Sequence, residues 1–122
     1  MKIVLSNCKD IPIYLQIVQE IKSDILNGEL KSDESLPSIR QLALDLKVSV
    51  ITVKNAYDEL EKDGFIYALP SKGFFVASFT ESQIKKMRET IAKNVIEKQI
   101  NYLQSIGLDK EDILKIINEK KN

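Results

Sequence analysis

The chain contains no histidine and no tryptophan, a single cysteine, and four glycines standing one by one along 122 residues. Without histidine, Ser-His-Asp and Cys-His nucleophile systems are excluded, and so are imidazole metal sites. The isolated Gly28, Gly64, Gly73 and Gly107 cannot assemble a phosphate-cradling loop. One cysteine, Cys8, allows no internal disulfide, which suits a reducing, cytoplasmic setting and an inert thiol. No apolar run approaches the roughly 18 residues of a membrane span, so no membrane partner is expected. The opening MKIVLSNCKD is too short and too polar for the core of a signal peptide. A surplus of one charge is missing too: 18 basic side chains face 18 acidic ones. Residues 1–79 hold nine positive and eleven negative groups, and residues 80–122 hold nine and seven. Nucleic-acid binders usually carry a basic excess, so any such contact here must come from local clustering. Carboxylates are plentiful, but they sit beside lysines on helical faces, the pattern of a solvated surface. No catalytic site, metal or cofactor is expected.

What is present is order. With 43% hydrophobic residues the chain can bury a core, as one domain of ordinary size or a small domain with an appendage. A first helix opens at Asp10-Ile11-Pro12, where proline suits the first turn. Tyr14, Ile17, Val18, Ile21 and Ile25 then recur at helical spacing, and Asn27-Gly28 ends the helix. After a polar connection from Leu30 to Ser35, Ser38 and Gln41 have capping-box spacing. Ile39, Leu42, Ala43 and Leu46 form the stripe of a second helix. Lys47-Val48 is a turn, Ser49 an N-cap, and Val53, Ala56, Tyr57 and Leu60 the stripe of a third helix closed by Gly64. Two aromatic, β-rich runs follow, Phe65 to Ala68 and Phe74 to Ala77, with turn chemistry at Pro70-Ser71-Lys72-Gly73 between them.

Beyond Phe79 the pattern changes. Thr80 caps a long helix with a first stripe of Ile84, Met87, Ile91 and Val95 and a second of Ala92, Ile96, Ile100 and Leu103. Gly107 ends it, and Asp109 caps a last helix bearing Ile113, Leu114, Ile116 and Ile117. Two helices with apolar groups on more than one face cannot shield each other, so they either pack back on the first domain or self-associate; the width of the stripes favours self-association.

Two helices, a turn and a hairpin can enter a DNA groove. At about 100° per residue, the buried stripe of the third helix leaves Ile51, Asn55, Asp58 and Lys62 facing away, flanked by Thr52 and Lys54. Ile51 in the first turn is either an ordinary exposed residue or a contact for a thymine methyl in the major groove. The far half of this helix carries Asp58, Glu59, Glu61 and Asp63, which phosphates would repel. Only the first turns can therefore approach DNA, the geometry of a recognition helix. Lys54 can neutralise a phosphate or read guanine, or merely pair with Asp58 at i,i+4. Arg40 stands where the second helix would cross the backbone, and its fork suits a phosphate or base edge. Ser49 and Thr52 offer hydroxyls beside free helix N–H groups. Lys72-Gly73 at the hairpin tip can touch a phosphate or enter a minor groove.

These stretches resemble the winged-helix domain of the GntR family of bacterial transcription regulators, from Pro12-Ile13-Tyr14 to Val76-Ala77. The most specific matches are LPSIRQLA at 36–43, VSVITVKNAYDELEKDGFI at 48–66 and SKGFFVA at 71–77. The resemblance implies that Arg40, Ser49, Val50, Ile51, Thr52 and Lys54, with Lys72 and Gly73 of the wing, touch DNA; together with Asn55 on the outward face of the third helix they make up the expected DNA-binding surface. Val50 and Lys54 stand where arginine is common in the family, and Lys47 where glycine is common, so base preference does not carry over. The short remainder is similar to the YtrA-like branch, whose tail chiefly dimerises.

The expected architecture is α+β but mostly helical: a winged helix-turn-helix domain over residues 10–78 and a two-helix dimerisation tail over residues 80–122. The tail would dimerise through Ile84, Met87, Ile91, Val95, Ile96, Ile100, Leu103, Ile113, Leu114 and Ile117. The expected partners are double-stranded operator DNA and a second copy of the chain, with a small-molecule effector a further possibility. The expected function is that of a homodimeric repressor on a palindromic operator. The alternatives are a winged-helix protein-interaction module and a small-molecule sensor.

Overall fold

The backbone of a computed structural model, which describes residues 1–7 and 10–120, runs through five helices and one hairpin. In chain order these are α1 (Ile13–Leu26), α2 (Ile39–Leu46), α3 (Val50–Lys62), β1 (Ile66–Leu69), β2 (Gly73–Val76), α4 (Glu81–Ser105) and α5 (Lys110–Glu119). Cys8 lies outside the described residues. The chain divides into two units, Met1–Thr80 and Glu81–Asn122.

The first unit is built on α3. Val53, Ala56, Tyr57 and Leu60 are fully buried and meet Ile17, Val18, Ile21 and Ile25 of α1 and Leu42 and Ala43 of α2. Burying each large apolar side chain contributes about 1.5–3 kcal/mol, so this stripe holds the three helices together. Pro12 is the N-cap of α1 and immediately precedes its first helical residue. Gln16 departs from the apolar pattern: it is 2% exposed. Its Nε2 donates to the carbonyls of Ser6 (2.8 Å) and Ile11 (3.0 Å), and its Oε1 accepts from the Ser6 N–H (2.9 Å). A buried amide is tolerable when so paired, and here it ties the segment before Asp10 to α1.

The ends of α2, α3 and α4 follow one device. In α3 the Phe65 N–H reaches the Leu60 carbonyl and Gly64 that of Glu61; in α4 Leu108 reaches Leu103 and Gly107 reaches Gln104. These are Schellman pairs around a left-handed glycine. The turn after α2 makes the same pairs, Val48 to Ala43 and Lys47 to Leu44, but its left-handed residue is Lys47, at φ +58°.

The hairpin is antiparallel with Ile66 opposite Val76 and Leu69 opposite Gly73, one residue displaced from the strands read off the sequence. Leu30 to Ser35 is not the plain polar connection expected. Leu30 is buried, and Ser35 bridges Phe75. Asp33 and Leu36 donate to the carbonyls of Val76 and Phe74, and Val76 donates to Glu34. The segment thus covers one edge of the wing through backbone groups that carry no side-chain signature.

In the second unit α4 and α5 pack on each other, and Asp109 and Asp112 form a reciprocal capping box at the start of α5. Ile113 is buried, whereas α4 buries no residue fully. Ile91, Val95, Ile96, Leu114, Ile116 and Ile117 are exposed.

Candidate nucleic-acid interface

Ser38 opens α2 by accepting the Gln41 N–H at 3.0 Å. The return half of the expected capping box is not made: the Gln41 amide donates to Asp45 at 2.7 Å instead. An i,i+4 partner on the same face competes for that side chain. Arg40, the second residue of α2, is exposed, and its guanidinium has no hydrogen bond or ion pair among the described residues. The turn then delivers the chain to Ser49, whose hydroxyl accepts the Thr52 N–H (3.1 Å) and lies 2.7 Å from the Thr52 hydroxyl.

The start of α3 is open. Val50 and Ile51 are 51% and 59% exposed, Asn55 is exposed, and Thr52 is half-buried with its hydroxyl on the cap. Lys54 pairs with Asp58 at 2.8 Å, both side chains more than half exposed. Such an i,i+4 pair is worth only about 0.2–0.5 kcal/mol, so the ammonium can leave it for a phosphate. At the other end Asp63 binds Lys22 of α1 at 3.0 Å, and that lysine also lies 5.0 Å from the Phe65 ring centroid. The acidic half of α3 is thereby fastened to α1, away from the open half.

The wing is set by aromatic and carboxylate contacts. The Tyr57 hydroxyl donates to the Pro37 carbonyl at 2.7 Å, and its ring meets Phe74 edge-on, centroids 4.9 Å apart at 72°. Burial pushes the Tyr57 hydroxyl far above the ordinary tyrosine range, so it remains a donor at any working pH. Tyr67 stacks on Phe75 at 5.6 Å and donates to Asp33 Oδ1 (2.9 Å), while Ser78 donates to Asp33 Oδ2 (2.6 Å). Those two donors hold the Asp33 carboxyl below its ordinary value, the Ser78 bond contributing most. Between the strands the Lys72 N–H closes a turn on the Leu69 carbonyl, with Ser71 at φ +64°. Lys72 and Gly73 are exposed at the tip, and the ammonium has no partner among the described residues.

The residues singled out in the sequence therefore fall on three neighbouring elements, the start of α2, the start of α3 and the hairpin tip. Sequence reasoning assigns no role on this surface to two residues. Lys47 is a further exposed cation two residues before Ser49, visible in the sequence only as part of a turn. Tyr57 reads as an ordinary core residue, whereas it joins α3 to both the approach of α2 and the wing. Among the tail residues, Ile113 is spent inside its own unit, and Ile84, Met87, Ile100 and Leu103 are half-buried. Among the described residues no group of acidic or cysteine side chains could hold a metal ion, and no helix is long and apolar enough to cross a membrane.

Two helices at a capped turn, the second open at its N-terminal half, with a hairpin fastened beside them, define a winged helix-turn-helix. Residues 13–76 match the family described as bacterial regulatory proteins, gntR family. The HTH-type transcriptional repressor YtrA of Bacillus subtilis (strain 168) is 32% identical over 108 residues, covering 88% of this chain and 83% of that protein. A GntR family transcriptional regulator from Listeria monocytogenes superposes with a TM-score of 0.82 at 31% identity, over 96% of this chain and 100% of that one. The DNA-binding domain of AraR, solved in complex with an operator, superposes with a TM-score of 0.56 at 28% identity, over 63% of this chain and 96% of that one. The chain belongs to the GntR family of helix-turn-helix, DNA-binding transcriptional regulators and resembles its short, YtrA-like members.

Proposed function

We propose that the chain is a cytoplasmic, homodimeric repressor that binds a palindromic operator. Arg40, the start of α3 from Ser49 to Asn55, and Lys72-Gly73 of the wing touch the DNA, and the helical tail forms the dimer. The observation that carries the reading is the polarity of α3: its first turns are open and free of carboxylates, while its acidic turns begin at Asp58. In a winged helix this is the end that enters a major groove. The exposed aliphatic residues of α4 and α5 support a two-fold dimer, which would present two α3 helices to half-sites about one helical turn apart or a multiple of it. That YtrA of Bacillus subtilis is described as a repressor supports the sign of regulation.

Selection from random duplexes, followed by titration of the enriched sequence, tests the reading. Arg40→Ala and Lys72→Ala should each weaken binding and lower the salt slope by about one unit for each phosphate that is no longer neutralised. Ile96→Asp, on an exposed face of α4, should halve the mass seen in sedimentation. Absence of any enriched sequence would favour a protein-interaction role instead. A monomeric wild type at tens of micromolar would remove the dimer.

A further inference from the structure

The first turns of α3 read SVITV, four branched side chains in a row after the cap. Branched residues lose rotamer freedom in a helix and lower its propensity. At Val53 that cost is offset by complete burial, but at Val50 and Ile51 it is not, since both remain more than half exposed. Two aliphatic groups side by side at the open end of a helix need an apolar surface to meet. In a major groove the one apolar group on the base edges is the thymine C5-methyl.

The neighbouring polar groups narrow the choice further. The Ser49 and Thr52 hydroxyls are committed to the cap and to each other, at 3.1 and 2.7 Å. Lys54 is paired with Asp58 at 2.8 Å, one turn further along the helix. No other cation stands in the first half of α3, so guanine O6 and N7 can be gripped there only by a lysine that first leaves Asp58. What this half does carry is Asn55, four residues after Ile51 on the same face, exposed and with its amide unengaged among the described residues. A carboxamide matches adenine, donating to N7 and accepting from the N6 amino group.

We propose that the start of α3 reads A·T base pairs, Val50 and Ile51 through thymine methyl groups and Asn55 through adenine, leaving any guanine contact to Arg40 or the wing. The inference rests on the DNA-binding reading above, and its test separates the two. From a selected duplex, thymines in the half-site are replaced one at a time by deoxyuridine, which removes only the methyl. The wild-type chain should lose roughly fourfold in affinity at each contacted position, the equivalent of one buried methyl. Ile51→Ala should bind the thymine duplex more weakly and show no further loss on the deoxyuridine duplex that Ile51 senses. Asn55→Ala should relax selection at one A·T pair. A selected core of G·C pairs where α3 sits, or equal affinity for thymine and deoxyuridine duplexes, would overturn the A·T reading while leaving DNA binding intact. Failure to select any sequence would overturn both.

Discussion

Removing one oxygen atom from Tyr57 tests whether the proposed DNA surface is held as a unit. The hydroxyl donates to the Pro37 carbonyl at 2.7 Å, the ring packs edge-on against Phe74, and the Phe74 carbonyl in turn accepts the Leu36 N–H at 2.9 Å. Approach to α2, recognition helix and wing thus close a circuit, with Arg40 three residues beyond Pro37 and Lys72 two before Phe74. Tyr57→Phe keeps the ring and its burial, so no cavity forms. The loss is one hydrogen bond and the partial stranding of a carbonyl on a half-buried proline that water can in part reach. A net hydrogen bond contributes about 0.5–1.5 kcal/mol and a stranded buried group costs about 1–3, so partial access of water sets the expected loss near 1–1.5 kcal/mol. For a unit of this size that is a fall in Tm of roughly 4–12 °C. Thermal unfolding followed by circular dichroism measures it. Operator titration well below both transitions should show weaker binding with a shallower salt slope, because Arg40 and the wing tip lose their common anchor. A Tm within 1 °C or so of wild type, together with unchanged DNA binding, would refute the argument.

Lys47→Gly should stabilise the protein. The lysine occupies the left-handed position that glycine fills after α3 and α4. Relief of about 1 kcal/mol or more of backbone strain is partly cancelled by the greater freedom of glycine in the unfolded chain. A rise in Tm of roughly 2–4 °C follows, whereas Lys47→Ala should give none; a lower Tm for the glycine variant would contradict it. The Asp33 carboxyl titrates below its ordinary value because Ser78 and Tyr67 donate to it. A depressed carboxyl contributes stability that is complete above the unfolded value, about 3.9, and is lost as pH falls through the folded one. The stability gap between wild type and Asp33→Asn should therefore narrow as pH is lowered from 6 to about 3. Asparagine tolerates the φ of +64° at this position, so the comparison keeps the backbone while removing the charge and one of the two acceptor oxygens. It also cancels the opposite drift from Asp24, whose carboxyl is raised by burial and by Glu20 and Glu29. A gap independent of pH would show that the carboxylate form does not hold the strap that residues 33–36 form along β2.

The helices were legible because their signals are local. The buried stripe of α3, Ser49 as cap and Gly64 as stop each depend on residues within a few positions of one another, and all three stand as expected. What the sequence did not disclose is non-local or made by the backbone. The pairing of Asp33 to Leu36 along β2 uses N–H and C=O groups common to every residue. Gln16 looks like a surface residue on a helical wheel, and its burial follows only from the chance to saturate it with Ser6 and Ile11. Gln41 illustrates competition: its spacing from Ser38 suits a capping box, yet an acidic side chain one turn ahead takes the amide.

The neutral charge balance, which at first counts against a nucleic-acid partner, acquires a different meaning in the fold. Several of the carboxylates of the first unit have structural partners: Asp63 binds Lys22, Asp33 holds the wing strap, Asp45 takes Gln41, and Glu34 accepts the Lys31 N–H. Arg40, Lys47 and Lys72 have no such partners among the described residues, and all three are exposed. Summing charges over the chain counts anchored carboxylates and free cations equally, although salt weakens the influence of any charge more than about 10 Å from a phosphate. With so few free cations, the non-specific, salt-sensitive part of binding should be small, and on the proposed reading discrimination would come from base contacts at the start of α3. On the proposed A·T reading, a chain of this kind would gain little from bulk electrostatic attraction to arbitrary DNA, and its occupancy would be set by how well a site matches Val50, Ile51 and Asn55.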